Sequence, residues 1–598
     1  MSPAFRRVLL FSAALKIVLA IALADIEPRY DETEYAKFGQ AIAQNGEKPV
    51  LWRAPGYQTF IAWGWSLAGG RFLGVRLLQS LISIATTIVV YRIGRRLWNE
   101  RAGFAAGAFT AFYPTDVAFS HLLWSESLYG ALVIIAFERL LRTQEDERGR
   151  GAAIAAGIAG VFLGAATLTR SVGAALMAAS LLWLMLRAGS FRSRVVLASA
   201  LFSGWALLVL PYSIQASSRA GRFVLVDTNS GFNLWSGNNP RIPDDLASMW
   251  CLGLPLENGS EFAGPLRRYS PGDGWREEIR WLMAKEGIHD PDGPGGDTWF
   301  RREAFDDISR RPGEFLARVP KKVAAFWSPD FFLPRHLLRD WYGATPPFLA
   351  ALITALTWIT ACIPLVLGPA ALAVLPRSSF RSLAVTWTVM YIAVHAIAYG
   401  HSRMHAPLAP VLTLAVSGVV FSAGLRRMRR GIPWAALVLA MWIATFPILG
   451  GFYVMPGPRH AAVARAFGSL RILPFPGAKR LAWMQAGIEE AQGRWAEAER
   501  ILEEPRFAED PWTLFLRGRI ALSRAAALPA NEARTQAVRE AAQMFDRALE
   551  RDPNSFAALM GCLRSAEALE NAAQAENCRR RAVEVRPWEA GVVDSVAR

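Results

Sequence analysis

The sequence predicts an all-helical protein: a polytopic membrane domain over residues 1–454 with about 11 transmembrane helices, then an all-α tail over 455–598. Three observations carry this. Of the 598 residues, 53% are hydrophobic, and the excess lies in blocks between Val8 and Tyr453. Many of these blocks reach the roughly 20 mostly apolar residues that a bilayer core requires. The arginines collect at alternate block ends, as the positive-inside rule describes.

The candidate spans run roughly over 8–24, 76–94, 102–116, 120–140, 152–168, 172–188, 195–212, 346–375, 382–400, 407–424 and 432–452. If Arg6 and Arg7 lie inside, so do the short loops carrying Arg92 to Arg101, Arg139 to Arg150, Arg187 to Arg194, Arg377 and Arg381, and Arg426 to Arg430. The non-basic connections then fall outside, which gives a cytoplasmic N-terminus and an outer C-terminal tail. The net charge of +16 is thus read as topology, and no nucleic-acid partner is expected. Arg6 and Arg7 before an apolar run resemble a signal peptide, but no small-residue cleavage site is clear, so the first block reads as a retained span. Block 346–375 suits one tilted helix or a helix plus a re-entrant piece.

Two outer segments, 25–75 and 213–345, are too long to be simple turns, and long loops on a rigid scaffold tend to carry function. In the first, Tyr35, Phe38 and Ile42 share one helical face, so 32–44 reads as an amphipathic helix along the membrane surface. Asp31 opens it, and two readings of Asp31 stand side by side. With Glu34 three residues on, it has the spacing of a capping box. At the membrane boundary, it is also placed to orient a poor hydroxyl nucleophile and take its proton.

The pair Asp31-Glu32 after the first span, with Tyr35 following, resembles an element of GT-C fold glycosyltransferases. The branch in question includes protein O-mannosyltransferases and the lipid A aminoarabinose transferase. The resemblance covers most of residues 5–425 and implies a GT-C type fold using sugars carried on polyprenyl phosphate. It implies a catalytic acid at Asp31, with Glu32 and Glu34 as secondary candidates. "WRAPGYQTF" resembles the basic–x–Pro element of the same loop, which makes Arg53 a contact to phosphate or sugar, or else an interfacial anchor.

"YPTDVAFSHLLWSESLYG" resembles the family's second acidic element and singles out Glu126, with Asp116 and His121 weaker. An ionisable group at membrane depth is costly and usually faces a polar cavity. "TLTRSVG" resembles a Leu-x-Arg-Pro-like element, with Ser171 where Pro is common, and places Arg170 on the outer side facing lipid headgroups or carrier phosphate. "NSGFNLWSGNNP" resembles a Gly-Asn-Asn-Pro element; Asn238 and Asn239 either bind sugar hydroxyls or shape the loop. "YGHSRMHAPLAPVLTL" resembles an Arg-aromatic-x-x-Pro element, with Met404 and His405 as departures. It marks Arg403 as the phosphate ligand, since a guanidinium binds phosphate oxygens bidentately.

His401 and His405 have a chelating spacing without an evident third ligand. No metal site or other cofactor is expected, though the sequence leaves a divalent metal open. No GxxxxGK[ST] or GxGxxG element is present, so the sugar must arrive already activated on lipid. The expected partners are a polyprenyl-phosphate-linked sugar, membrane lipids, and an acceptor whose identity the sequence does not reveal.

In the tail, Pro553 and Pro587 lie 34 residues apart, as do Ala548 and Ala582. That period resembles tetratricopeptide repeats, which would offer a surface for a protein partner. Among the four cysteines there is no CxxC pair, and Cys562 and Cys578 are spaced to face each other across a helical hairpin. The transferase reading places the site on the outer face of a bacterial inner membrane. The alternative is a carrier-lipid flippase or a scaffold recruiting partners through the tail; it leaves the outer acid–arginine constellation without a use.

Overall fold

The computed structural model describes residues 1–29, 31–144, 150–186, 189–238, 274–454, 458–460, 462–463, 465–466 and 478–596. Every regular element among them is a helix. The first eleven are α1 (Pro3–Ala22), α2 (Asp31–Asn45), α3 (Pro55–Leu67), α4 (Leu73–Leu97), α5 (Glu100–Phe112), α6 (Pro114–Phe119), α7 (Glu126–Arg142), α8 (Arg150–Thr169), α9 (Gly173–Leu186), α10 (Phe191–Ala220) and α11 (Ser230–Ser236).

Local chemistry sets their ends. The Asn99 side chain caps α5 by accepting from the Ala102 N–H at 2.9 Å, and Pro114 opens α6 at a position where its missing N–H costs nothing. Ser190 caps α10, and Gly221 closes it with φ 65°, a left-handed conformation that suits glycine.

The chain is a multi-pass membrane protein. Six helices are long and apolar enough to cross a bilayer by length and composition: α4, α8, α10, Pro347–Val374, Ser379–Ile397 and Ser402–Ser422. Gly173–Leu186 and Ile432–Ile443 are shorter apolar helices. The other predicted blocks also fold as helices, but α1 carries Arg6, Arg7 and Lys16, while α5 and α7 span only 13 and 17 residues. The 346–375 block is one continuous helical stretch, Pro347–Val374, with a π-helical turn at Ile363–Leu367. Pro364 and Pro369, which cannot donate to the ladder, lie within and just after that turn, and the Leu365 carbonyl accepts instead from Trp327 Nε1 at 2.7 Å.

Contacts divide the chain into two units. One comprises Met1–Asn238, Asp292–Leu337 and Trp341–Ile443; the other comprises Asn239–Pro291, Leu338–Asp340 and Ala444–Arg598. The core of the first is built from α7, α8, α10 and the two helices 379–397 and 402–422, around Phe137, Trp205, Trp387 and Leu412. Two of its indole N–H groups are paired: Trp387 Nε1 donates to Ser180 Oγ at 3.0 Å, and Trp205 Nε1 donates to Thr167 Oγ1 at 3.0 Å.

The second unit stacks antiparallel helices, including Pro511–Ala527, Glu532–Arg551, Phe556–Ala568 and Ala572–Val585. Ala548 and Ala582 are fully buried in its core, beside Phe545 and Leu559. Gly493, with φ 72°, makes the turn before Trp495–Leu502. Cys562 and Cys578 form a disulfide across the last hairpin, with Cα atoms 6.2 Å apart.

Candidate active site

The loop after α1 is tied down by side chains of α4. Arg76, 2% exposed, donates to the carbonyls of Ala24 at 2.6 Å, Ile26 at 3.1 Å and His121 at 3.0 Å. Gln79 donates to the carbonyls of Phe119 and Leu122 and accepts from Tyr57 Oη. Two buried polar residues of one helix thus bring together the end of α1, the turn 119–123 and the start of α3.

The loop helix forms as Asp31–Asn45, and the face it buries against the protein is the one bearing small residues and Glu32. Glu32, Ala36 and Gly39 are buried, while Tyr35, Phe38 and Ile42 are only partly so. The helix packs on α3 through small residues: a Cβ at Gly39 would lie 2.3 Å from Ile61 Cγ2.

This packing separates the acids at the head of α2. The Asp31 oxygens accept from Arg403 Nη2 at 2.5 Å and from Arg53 Nη2 at 3.4 Å. Glu34 accepts from Arg53 at 2.7 and 3.0 Å. The acids therefore face arginines, not the free N–H groups that a capping box would satisfy.

Glu32 turns the other way. It is 3% exposed and accepts from the backbone N–H of Leu123 at 2.7 Å and of Arg29 at 3.2 Å. His336 Nε2 lies 3.8 Å from it. A carboxylate engaged in this way ties the first loop to the 119–123 turn.

Glu126 and Arg170 complete the cluster. Arg170 Nη1 donates to Glu126 Oε1 at 2.5 Å and to Ser125 Oγ at 3.2 Å, and Arg403 Nε lies 3.7 Å from the same Glu126 oxygen. Three arginines and three carboxylates from distant segments thus meet in one cluster: Arg53, Arg170 and Arg403 with Asp31, Glu34 and Glu126. Arg403 is flanked by aromatic faces, its guanidinium carbon 5.0 Å from the Trp124 ring centre and 5.5 Å from that of Phe332.

Burial alone would raise the Asp31 carboxyl, but Arg403 and Arg53 beside it outweigh that and hold it well below the usual carboxylate range. Burial, with Arg403 and Arg335 nearby, keeps the His401 imidazole well below its ordinary value. His401 stacks on Phe332 with ring centres 4.7 Å apart, and His405 Nδ1 is 2.8 Å from the Phe326 carbonyl. Among the described residues, no three His, Cys, Asp or Glu side chains converge as a metal site requires.

The remaining sequence candidates lie apart from the arginines. Asp116 and Glu126 share the wall of a small cavity with Ser83, Thr86 and Ser127. His121 Nε2 lies 2.9 Å from Tyr342 Oη. Asn238 was a candidate for sugar contact, but its amide is already in use. It donates to the carbonyls of Leu234 at 2.7 Å and Ile397 at 3.1 Å, and accepts from Lys322 Nζ at 2.7 Å. Asn239 lies outside the described residues.

Sequence reasoning missed Trp124, Phe332, Arg335 and Asp227. The first two carry a faint signal, as aromatic residues beside charged ones. Asp227 lies on a segment joined to the first loop, where the Thr228 N–H donates to the Leu51 carbonyl at 2.8 Å and Trp52 packs on Phe232. Burial raises its carboxyl to about 6, against the pull of Ser171, the Asn229 N–H and Arg53.

Residues 52–214 match the family model described as dolichyl-phosphate-mannose-protein mannosyltransferase. The matched segment contains Arg53, Glu126 and Arg170, with Asp31 and Arg403 on either side of it. Comparison with curated proteins gave no match.

Among solved structures, the chain is similar to the apo oligosaccharyltransferase of Archaeoglobus fulgidus, at 13% identity and TM-score 0.42 over 80% of this chain and 59% of that one. It is also similar to that organism's oligosaccharyltransferase in complex with an inhibitory peptide and a dolichol-phosphate, at 13% identity and TM-score 0.39 over 81% and 59%. A third is apo ArnT from Cupriavidus metallidurans, at 16% identity and TM-score 0.33 over 70% and 78%. The chain spans 59% of the length of the first of these.

Proposed function

We propose that this protein is an inverting glycosyltransferase that moves a sugar from a polyprenyl-phosphate carrier to an acceptor on the periplasmic face of a bacterial inner membrane. The acceptor is a glycolipid, a polysaccharide or a protein. The observation that carries the reading is the meeting of Asp31, Arg53, Glu126, Arg170 and Arg403 in one cluster. The mannosyltransferase family match to residues 52–214 supports it.

Asp31 accepts the proton of the acceptor hydroxyl or amine as that atom bonds to C1 of the sugar. The C1–O bond to phosphate breaks, and the lipid phosphate leaves with the electron pair. Arg403, with Arg53 or Arg170, holds that phosphate; fixed guanidinium groups aimed at developing negative charge cost no reorganisation when the bond breaks. Asp31 and the phosphate compete for the same Arg403 guanidinium. Donor binding therefore frees the carboxylate and raises its basicity at the moment when a base is needed. Glu32 acts here as an anchor of the loop instead of a second catalytic acid, and Glu34 positions Arg53.

The same proposal takes residues 1–454 as a GT-C type domain of eleven spans with a cytoplasmic N-terminus, and 455–598 as a periplasmic domain of tetratricopeptide-like repeats that hold the acceptor or a partner. The test is purified protein in detergent with radiolabelled polyprenyl-phosphate sugars and a cell-envelope extract. Label moving to an acceptor is expected. Absence of transfer from every donor, with carrier lipid crossing proteoliposomes instead, would establish the flippase reading.

A further inference from the structure

Lys322 is a lysine that no motif singles out. It lies in the helix Pro312–Phe326 and is 1% exposed. Its ammonium donates to Asn238 Oδ1 at 2.7 Å and to the Ile397 carbonyl at 2.9 Å. Asn238 donates to the same Ile397 carbonyl at 3.1 Å, so three chain segments close on one another around two side chains.

The segments are pressed together at two glycines. A Cβ on Gly237 would lie 1.8 Å from the Ala398 carbonyl oxygen, and one on Gly400 would lie 2.1 Å from the Lys322 carbonyl oxygen. Three residues beyond Gly400 comes Arg403, whose backbone N–H donates to His401 Nδ1 at 3.3 Å. A buried lysine is costly unless its interactions are used.

We infer that Lys322, together with Asn238, is a positioning residue that sets where the segment 397–403 delivers the Arg403 guanidinium. This rests on the transferase reading above and gives the Gly-Asn-Asn segment a role in phosphate binding without its touching substrate.

The groups facing the ammonium are Asn238 from the loop segment, the Ile397 carbonyl from the preceding helix, and Arg318 and the Phe315 ring from its own helix. Burial, and then Arg318, lower Lys322 to about 7. The latch therefore weakens as pH climbs through neutrality and the ammonium becomes a neutral donor. An Asn238→Asp change would place a carboxylate on it and hold the proton to higher pH.

The experiment measures kcat, KM for a polyprenyl-phosphate sugar and thermal unfolding of full-length wild type, Lys322→Met, Asn238→Leu and Asn238→Asp, between pH 5.5 and 9. A misplaced catalytic contact costs up to about 100-fold. We expect Lys322→Met and Asn238→Leu each to lower kcat/KM for the donor by about 10- to 100-fold per folded molecule. In a variant carrying both Lys322→Met and Asn238→Leu, measured alongside, the two losses should fall well short of multiplying. Asn238→Asp should retain activity and move the alkaline limb upward. If the variants merely melt earlier, with kcat and donor KM within twofold of wild type and the limb unmoved, Lys322 is a packing residue and the inference fails. A wild type that transfers from no donor overturns the transferase reading and the latch with it.

Discussion

A carboxylate that accepts from two guanidiniums is well anchored and weakly basic, and Asp31 is in that position. Its carboxyl is held below its ordinary value of 3.8, so the stabilisation it contributes is complete above that value and is lost as pH falls through its own, lower one. We expect the stability difference between wild type and Asp31→Asn to be constant from pH 5 to 7 and to close below about pH 4, followed by thermal unfolding in detergent. Activity should respond more strongly than stability, with Asp31→Asn losing about 100- to 10,000-fold in kcat, the usual range for a general base.

Glu32 should show the opposite balance. Glu32→Gln removes a charged acceptor from the buried N–H of Leu123 and should cost about 1–3 kcal/mol of stability. Measured per folded molecule, its kcat should fall much less than that of Asp31→Asn.

The sequence distinguished Asp31, Arg53, Glu126, Arg170 and Arg403 because each stands in a short local motif. It ranks Glu32 as secondary to Asp31 but does not show its use as a loop anchor, since the Leu123 N–H that bonds to it lies 91 residues away. For Asn238 it leaves sugar contact and loop shaping side by side, since Lys322 and Ile397, which use its amide, lie 84 and 159 residues on.

Among elements, the helices were legible wherever apolar length or a cap defined them. The 346–375 block came out as a single element, with a π-turn where its two internal prolines, Pro364 and Pro369, interrupt the ladder. The loop helix was legible in extent. Its Tyr35, Phe38 and Ile42 stripe has helical period, while the close approach of Gly39 to Ile61, which fixes the face packed on α3, depends on tertiary contact.

Glycine also supplies the prediction at this scale. Gly237→Ala and Gly400→Ala each drive a methyl into a carbonyl oxygen. They should reduce the yield of monodisperse protein on size exclusion far more than Gly46→Ala, where nothing lies within 4 Å and only the positive φ of 65° opposes the change.

The disulfide between Cys562 and Cys578 closes a loop of 16 residues, a length for which the chain-entropy account gives about 3 kcal/mol. Reduction should lower the unfolding temperature of the tail, and maleimide labelling of the unreduced, denatured protein should report fewer free thiols than the four cysteines present.

Taken as a whole, the molecule exposes apolar surface that water would not tolerate. Phe11, Leu186, Leu207, Ile214, Ile359 and Phe348 are between 65% and 80% exposed on helices built mainly of apolar residues. Such a surface marks contact with lipid. The sequence read the multi-pass character from the same residues. The span count is harder to read: α1, α5 and α7 carry charge or fall short of a bilayer by themselves, and their crossing depends on what they pack against. Reporter fusions at Gln144 and Ser378 should read as cytoplasmic, and fusions at Gly46 and Val596 as periplasmic, if the eleven-span topology holds.

The most direct test of the account is single-turnover transfer from a synthetic polyprenyl-phosphate sugar, comparing wild type, Asp31→Asn and Arg403→Ala with matched unfolding temperatures. Wild type is expected to cleave the C1–phosphate bond rapidly. Asp31→Asn should bind donor without cleaving it, and Arg403→Ala should bind donor weakly. Cleavage at wild-type rate by Asp31→Asn would contradict it and return Asp31 to a purely structural partner of two arginines.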